Sequence, residues 1–478
     1  MIKLIDLPDI IPMLIIAASA IITLLLASFS SRSKMPVYVF SVLSVLTALI
    51  YAALDVRKTK FLFNDSIELG MTENAFAFLA MLAILITLIS SRNYLINFKI
   101  NYGEYYSLML FALFGMLLMI YGNDMLIIFI GLETMSICFY VFAGMMRKRE
   151  KSNESAMKYF LLGAFMTGFL LFGISIIYGV TGYTNITKIL TTFTQFRSPI
   201  FLLGVILFTI GFLFKIGIFP FQMWIPDVYE GAPTIVTGMM STAGKIAAVG
   251  TIAPILIILK LTDLRLLLSI LATLTMLYGN IVAIAQNNIK RLLAYSSIAS
   301  AGYILVGITA MDDFASKGIL FYLLAYIFMQ LGAFIVVSVY EGVSVNGKDF
   351  KYLTFNEYKG LAKRNPYLAV LLTVFLFSLA GIPPFAGFWG KYYIFYAAIR
   401  ENLIWLSVIA ILLSILSVYY YLKVIIYMWF IDIEESDDVN TVRLSPLNFV
   451  ALSICLAGSL LFGVYPQLFF SFFGFVIK

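Results

Sequence analysis

Residues 211–233 read GFLFKIGIFPFQMWIPDVYEGAP. A lysine, Lys215, stands inside an apolar run, and Gly217 and Pro220 follow it closely. A charge at the centre of a bilayer costs roughly 2.5–3.5 kcal/mol on insertion scales. A proline removes a backbone donor and collides with the preceding turn. A helix in lipid tolerates both only where the charge and the freed backbone face protein or a water-filled cavity. The stretch therefore predicts a broken membrane helix with an ionisable group at its break.

Composition sets that helix in context. Of 478 residues, 62% are hydrophobic and 12% charged, with 43 Phe and 29 Tyr. Soluble domains carry about 25% charged residues, so the chain is read as an integral membrane protein. Cys138 and Cys455 lie far apart in apolar runs without a CxxC pair, which argues against disulfides, zinc and cysteine-held iron–sulfur clusters. Histidine is absent, which removes bis-histidine haem and the usual imidazole proton shuttle. The net charge of +7 sits mostly in loops, and is read as a determinant of membrane orientation rather than a nucleic-acid surface.

A span needs about 20 apolar residues. Runs of that kind fall at 10–28, 36–54, 74–91, 104–121, 124–146, 155–180, 199–224 and 232–259. Six more fall at 264–286, 292–310, 316–341, 366–399, 402–430 and 446–471. The expected fold is an all-α polytopic membrane protein of about 14 transmembrane helices. Asp6, Pro8 and Asp9 precede the first run, unlike a basic signal-peptide start, so that run is read as a retained span. Half of the 32 Lys and Arg fall in the loops that follow odd-numbered spans, concentrated in RKREK (147–151) and in 348–364. Those loops are expected to face the cytoplasm and both termini the outer, periplasmic side.

The broken motif recurs. GIFPF at 217–221 is echoed by GIPPF at 381–385, Trp224 and Trp389 follow at nearly equal offsets, and Lys215 and Lys391 lie close by. Interrupted helices in matching places of two halves are the pattern of repeat-built transporters.

Few other ionisable groups lie deep in the spans. Glu133 is in FIGLETMSICF and Lys245 in MSTAGKIAAVG. Glu133, Lys215 and Lys245 are too far from the run ends for snorkelling, given a 1.5 Å rise per residue, and are read as functional or as a structural ion pair. Glu154 and Lys158 form an i,i+4 pair that is equally an ordinary helix-end pair. Lys423 is read as snorkelling along its aromatic neighbours. Burial disfavours an ammonium and a nearby carboxylate favours it, so a glutamate moving against a lysine can switch it between holding and releasing a proton. Ser241, Thr242, Ser296 and Ser297 are candidate anchors for the connecting water.

FKIGIFPFQMWIPDVYEGAPT, NNIKRLLAYSSIASAGY and GIPPFAGFWGKYYIF together resemble the antiporter-like subunits of proton-translocating NADH–quinone oxidoreductase (respiratory complex I). That family also includes Mrp-type cation/proton antiporters. PDVYEGAP, and the lysine after GFWG, are similar to the N type within it. The resemblance implies two inverted repeats, spans 4–8 and 9–13, with broken helices at spans 7 and 12. The corresponding parts are a three-helix segment (1–103), a first repeat (104–259), a second repeat (264–430) and a C-terminal helix (431–478). It implies proton transfer through Glu133, Lys215, Lys245 and Lys391, with Glu154 and Lys158 as a further polar pair.

The resemblance also implies a multi-pass subunit of the cell inner membrane, in a hetero-oligomer with K, M, L, J, A and H-type membrane subunits. NADH oxidation and quinone reduction would occur elsewhere in that complex, with FMN and iron–sulfur clusters in partner subunits and no cofactor bound by this chain. Lipid, protons and water are its other expected partners, and nucleic acid is not. Where the family commonly has histidine, this chain has Gln222 and Ser300, so proton uptake must use water, Tyr303 or backbone. The alternatives are a subunit of a multisubunit cation/proton antiporter and a structural spacer, and the buried lysines count against the latter.

Overall fold

The computed structural model describes residues 4–29, 34–196, 198–259, 262–341, 353–432 and 444–475. Residues 348–352 of the basic stretch 348–364 lie outside the described residues, as do 433–443 and 476–478 of the expected C-terminal segment. Among the described residues, thirteen apolar helices are long enough to cross a membrane. They are span 1 (Leu7–Phe29), span 2 (Met35–Leu54), span 3 (Met71–Asn97), span 4 (Gly103–Tyr121), span 5 (Met125–Ala143), span 6 (Glu150–Thr181) and span 7 (Pro199–Gly231). Then come span 8 (Thr234–Leu259), span 9 (Asp263–Ile284), span 10 (Ile289–Ala310), span 11 (Asp313–Glu341), span 13 (Ile404–Trp429) and span 14 (Pro446–Val464). Span 12 is the fourteenth crossing, made of two halves, Pro366–Ala380 and Ala386–Arg400.

The helix starts follow local chemistry. Asp124, Ser198, Asn288 and Ser445 cap spans 5, 7, 10 and 14 through their side-chain oxygens, which satisfies amide groups that have no intrahelical partner. Pro199, Pro366 and Pro446 open their helices, where a missing N–H costs nothing.

Loop contacts sort the connections onto two faces. On one, a hairpin pairs Lys60–Leu62 with Ile67–Leu69, and its Asp65 carbonyl accepts from Asn123 (2.8 Å) and Asn185 (2.7 Å). Loops 2–3, 4–5 and 6–7 therefore meet. On the other, Lys151 pairs with Glu230, Lys290 reaches the Ala232 carbonyl, and Asn288 bridges to Thr354, joining loops 5–6, 7–8, 9–10 and 11–12. This alternation is what fourteen crossings require.

Four features depart from the sequence reading. The hairpin and the helix Ile186–Phe196 in loop 6–7 were unforeseen. The run 446–471 is not one helix: span 14 stops at Val464, and Pro466 precedes a separate helix, Gln467–Phe473. That helix buries Phe469, Phe470 and Phe473, with Phe470 stacked on Phe321 at 5.5 Å. Span 8 is not continuous either, because Met240–Gly244 forms a π turn just before Lys245. Such turns insert a residue into the α-helical ladder and recur at functional positions.

Candidate functional site

Span 7 breaks at Gly217, whose φ of 89° is left-handed. That conformation requires glycine, and a Cβ there would also push the Ile225 Cδ1 methyl aside, at 2.1 Å. The first half, Pro199–Ile216, ends with Gly217 and Ile218 N–H groups donating to the Leu213 carbonyl, a helix-ending pattern that satisfies an otherwise unpaired acceptor. Trp224 Nε1 donates to the Phe214 carbonyl at 3.0 Å and stacks on Tyr159 at 4.3 Å. The break is thus held by its own residues. The second half, Trp224–Gly231, carries PDVYEG.

Lys215 is buried in the last turn of the first half, where the negative end of the helix dipole favours a cation. Its Nζ donates to Tyr140 Oη (3.3 Å) and lies 5.0–5.1 Å from the Tyr159 and Tyr140 ring centres, within reach of cation–π attraction. Glu133 does not touch it. The half-buried carboxylate accepts from Thr167 Oγ1 at 2.8 Å. Tyr140, two turns along span 5 from Glu133, stands against Lys215 in its place. Gly163 of span 6 makes room, since a Cβ there would sit 2.1 Å from the Tyr140 hydroxyl.

Lys245, buried in span 8, donates to Ser297 O (2.7 Å) and Ser297 Oγ (2.8 Å) and lies 5.0 Å from the Tyr326 ring centre. Lys391, buried in the second half of span 12, donates to Ala380 O and Ser414 Oγ, both at 2.9 Å. Its Nζ is 5.1 Å from the Tyr303 ring centre. Ala380 ends the first half of span 12, so Lys391 caps that helix across its break at Gly381 (φ 85°).

Span 10 joins these two lysines. Ser297, Ser300 and Tyr303 recur at helical spacing on it and are all buried. Tyr303 Oη accepts from Asn280, whose Oδ1 accepts from Tyr420. Ser296 meets Tyr421 at 2.5 Å. Ser241 and Thr242 instead donate to Gly238 O in the turn of their own helix, which bends helices locally. Gln222, at the break, is fully buried and neither its Oε1 nor its Nε2 has a hydrogen-bond partner, an arrangement that ordinarily holds water.

The two lysines near the glycine breaks are not counterparts by position. Lys215 precedes Gly217, whereas Lys391 follows Gly381 and lies in the second turn of the second half, Ala386–Arg400. The tryptophans differ too, since Trp389 Nε1 donates to Gly463 O of span 14. Similar five-residue motifs therefore place similar charges differently along the two broken helices.

Glu154 and Lys158 belong to a separate surface chain of six charges. Lys158 pairs with Glu154 (2.6 Å) and Asp227 (2.7 Å). Arg291 of span 10 pairs with Asp227 (3.1 Å) and Glu230 (2.9 Å), and Glu230 with Lys151 (2.5 Å). Three cations balance three anions, tying the second half of span 7 to spans 6 and 10. Asp227 and Glu230 stood in plain view within PDVYEG, but their partners are 60 or more residues away. Just beyond, buried Lys290 donates to Ala232 O at 2.7 Å. Buried Glu341 accepts from Thr234 Oγ1 and from Tyr94 Oη, and Tyr94 Oη accepts the Thr234 N–H. Lys423 is partly buried and donates to Gln286 O and Asn287 Oδ1 in loop 9–10, as a snorkelling lysine would.

Residues 122–417 match the family described as NADH:quinone oxidoreductase/Mrp antiporter, transmembrane. The chain is 44% identical over 475 residues to NADH-quinone oxidoreductase subunit N of Trichlorobacter lovleyi, covering 98% of this chain and 96% of that protein. Its structure is similar to a chain of respiratory complex I from Thermus thermophilus (TM-score 0.82, 29% identity, 96% and 98% of the two chains). It also resembles a chain of the Mrp complex from Dietzia in fold (TM-score 0.84, 20% identity, 97% and 96%).

Proposed function

Because this chain belongs to the NADH:quinone oxidoreductase/Mrp antiporter family of membrane subunits, we infer that it is the N-type, proton-translocating subunit of an NADH–quinone oxidoreductase. Enzyme activity belongs to the complex, and this chain contributes proton transfer. The observation that carries the mechanism is the row of three buried lysines, 215, 245 and 391, each held by hydroxyl or carbonyl oxygen instead of a carboxylate. An ammonium so held is stabilised enough to exist and is not locked in an ion pair. It can pass its proton on when charge in a neighbouring subunit changes.

In this reading Glu133 acts on Lys215 from a distance, through its field and through Tyr140. Lys245 receives the proton by way of water at the broken helix, where the unpartnered Gln222 amide can hold it. Ser297, Ser300 and Tyr303 lead on to Lys391. Spans 4–8 and 9–13 act as two repeats meeting at the Lys245–span 10 contact. The surface chain containing Glu154 and Lys158 positions the second half of span 7. The partners are K, M, L, J, A and H-type membrane subunits, with FMN and iron–sulfur clusters in others. The loops following odd-numbered spans face the cytoplasm of the cell inner membrane.

Purification of the native assembly tests the energy source. Flavin and iron–sulfur subunits are expected to co-purify with this chain, and NADH-dependent quinone reduction with them. An assembly of small membrane subunits alone, exchanging cations for protons, would establish the antiporter reading instead.

Gly163→Ala tests the Tyr140 contact. The added methyl must push the hydroxyl off Lys215, and pumping is expected to fall by about three- to tenfold, since misplacement by about 1 Å is costly in proton transfer. Pumping by vesicles, at normal complex content on a native gel, is the measurement. An unchanged rate would remove Tyr140 from the path.

A further inference from the structure

A groove of about 540 Å³ lies between spans 3, 11 and 14 and the short helix Gln467–Phe473. Its walls are Phe78 and Leu82 of span 3, Leu324 and Phe328 of span 11 and Phe462 of span 14. Phe472 and Phe473 close it over Phe78, with ring centres 5.6 and 5.7 Å away. Leu468 and Phe472 at its border are exposed, so it opens sideways, and Ser471 is the one polar residue lining it.

Arg57 of loop 2–3 stands at the Ser471 end. Its Nη2 donates to the Ser471 carbonyl at 3.1 Å. A Cβ on Gly474 would lie 3.1 Å from Arg57 Nε and 3.5 Å from Met71 Cε, which places the guanidinium level with the start of span 3. The neighbouring Lys58 and Lys60 pair with Asp55 and Asp9 at 2.8 and 2.6 Å. Exposed Arg57 has no carboxylate partner among the described residues.

Depth and volume identify the occupant. Met71 to Leu82 is eleven residues of helix, about 16 Å at a rise of 1.5 Å each. That is one leaflet of a hydrocarbon core about 30 Å thick. A spanning helix, about 30 Å long and 10 Å wide, needs several times the space. We propose that the groove binds an anionic phospholipid of the leaflet next to loop 2–3, with its acyl chain between spans 3, 11 and 14 and its phosphate on Arg57. A guanidinium matches phosphate oxygens in a two-pronged geometry, and the bond to Ser471 uses only one of its five N–H donors.

The site bears on Lys245. Phe328 belongs to the π turn Ile327–Leu331 of span 11 and stacks on Phe462 at 5.9 Å. Tyr326, just before that turn, has its ring centre 5.0 Å from Lys245 Nζ. Residues two apart on a helix do not share a face. Span 11 therefore has the lysine on one side and the acyl chain on the other, and the lipid braces the turn against the ammonium. This bracing rests on the reading of Lys245 as a proton carrier.

The test uses the assembled complex in vesicles with a trace of phosphatidylglycerol carrying a photoactivatable diazirine in its acyl chain. Phosphatidylcholine with the same group is the zwitterionic control, and peptide mass spectrometry locates the crosslinks. Phe78, Leu82 and Leu324 are expected to label about fivefold more with the anionic lipid, the preference given by one arginine beside an anionic headgroup. Leu161 and Phe165, on the exposed face of span 6, set the ratio for bulk lipid. Arg57→Gln should bring the groove to that bulk ratio and slow NADH-driven pumping about two- to threefold. Arg57→Lys keeps the charge and should retain most of both. Leu468→Trp, at an exposed position, should fill the groove and lower its labelling with Arg57 intact.

Equal labelling by the two lipids would mean a groove wetted by ordinary bilayer, and no labelling a surface covered by another subunit. Either result overturns the site. Labelling that follows Arg57 while pumping does not would overturn the bracing of span 11. Lys245→Met, measured alongside, separates the two readings. If it leaves pumping intact, the carrier reading fails, and the crosslinks still decide the lipid site.

Discussion

Replacing Lys215 by alanine is expected to lower NADH-driven proton pumping by about a hundredfold or more in a complex that still assembles, since a positioned acid–base group contributes roughly 10²–10⁴-fold. The side chain has one hydrogen-bond partner, Tyr140 Oη, and a setting of aromatic rings. Alanine therefore removes the exchangeable proton and leaves no carboxylate stranded beside it. Assembly should survive for that reason. Lys215→Arg should be nearly as damaging, because guanidinium stays protonated and cannot complete the cycle. Dye-reported acidification and quinone reduction, measured on the same vesicles, decide the matter. Unchanged values for Lys215→Ala in an assembled complex would end the carrier assignment.

Lys245→Met is expected to cause a loss of the same order. Methionine approximates the length and apolar body of lysine, so the packing against Tyr326 is largely kept while the charge is lost. The serine beneath it gives the internal control. Ser297→Ala deletes one of two oxygens that hold Nζ and leaves the Ser297 carbonyl in place, so its effect should be several times smaller. A purely structural role would reverse that order, because Lys245→Met would then be mild and assembly, not pumping, would respond.

The spans and both breaks were legible because they are local properties. Apolar length defines a crossing, and Gly217–Pro220 and Gly381–Pro384 interrupt one wherever they occur. Lys215, Lys245 and Lys391 followed from the same reading, whereas Lys290, equally buried, lies just outside the run 292–310 and did not. What surrounds them did not. Thr167 and Gly163 carry no signal in a membrane helix of ordinary composition, and only the packing of span 6 on span 5 brings them to Glu133 and Tyr140.

The expectation that Glu133 approaches and leaves Lys215 rests on charge alone. It did not bring in Tyr140, which lies two turns along the same helix and stands against Lys215. The recurrence of GIxPF suggested equivalent lysines, but five residues fix a break and say nothing about the side of it on which a charge falls. The hairpin at 60–69 was missed because three-residue strands, held mainly by asparagines from distant loops, have no periodicity to read.

The connection from span 7 to span 8 has a mechanical consequence. Ala232 and Pro233 are the whole of it, with Lys290 holding the Ala232 carbonyl and Glu341 and Tyr94 holding Thr234, the first residue of span 8. With no slack, it works as a push-rod. A tilt of the half-helix that bears Asp227 must displace the first turn of span 8. The nearest irregular point along that helix is the π turn at 240–244, a single-turn insertion of the kind frequent at functional sites. The next residue is Lys245, so a shift of that bulge would rotate its ammonium with respect to Ser297.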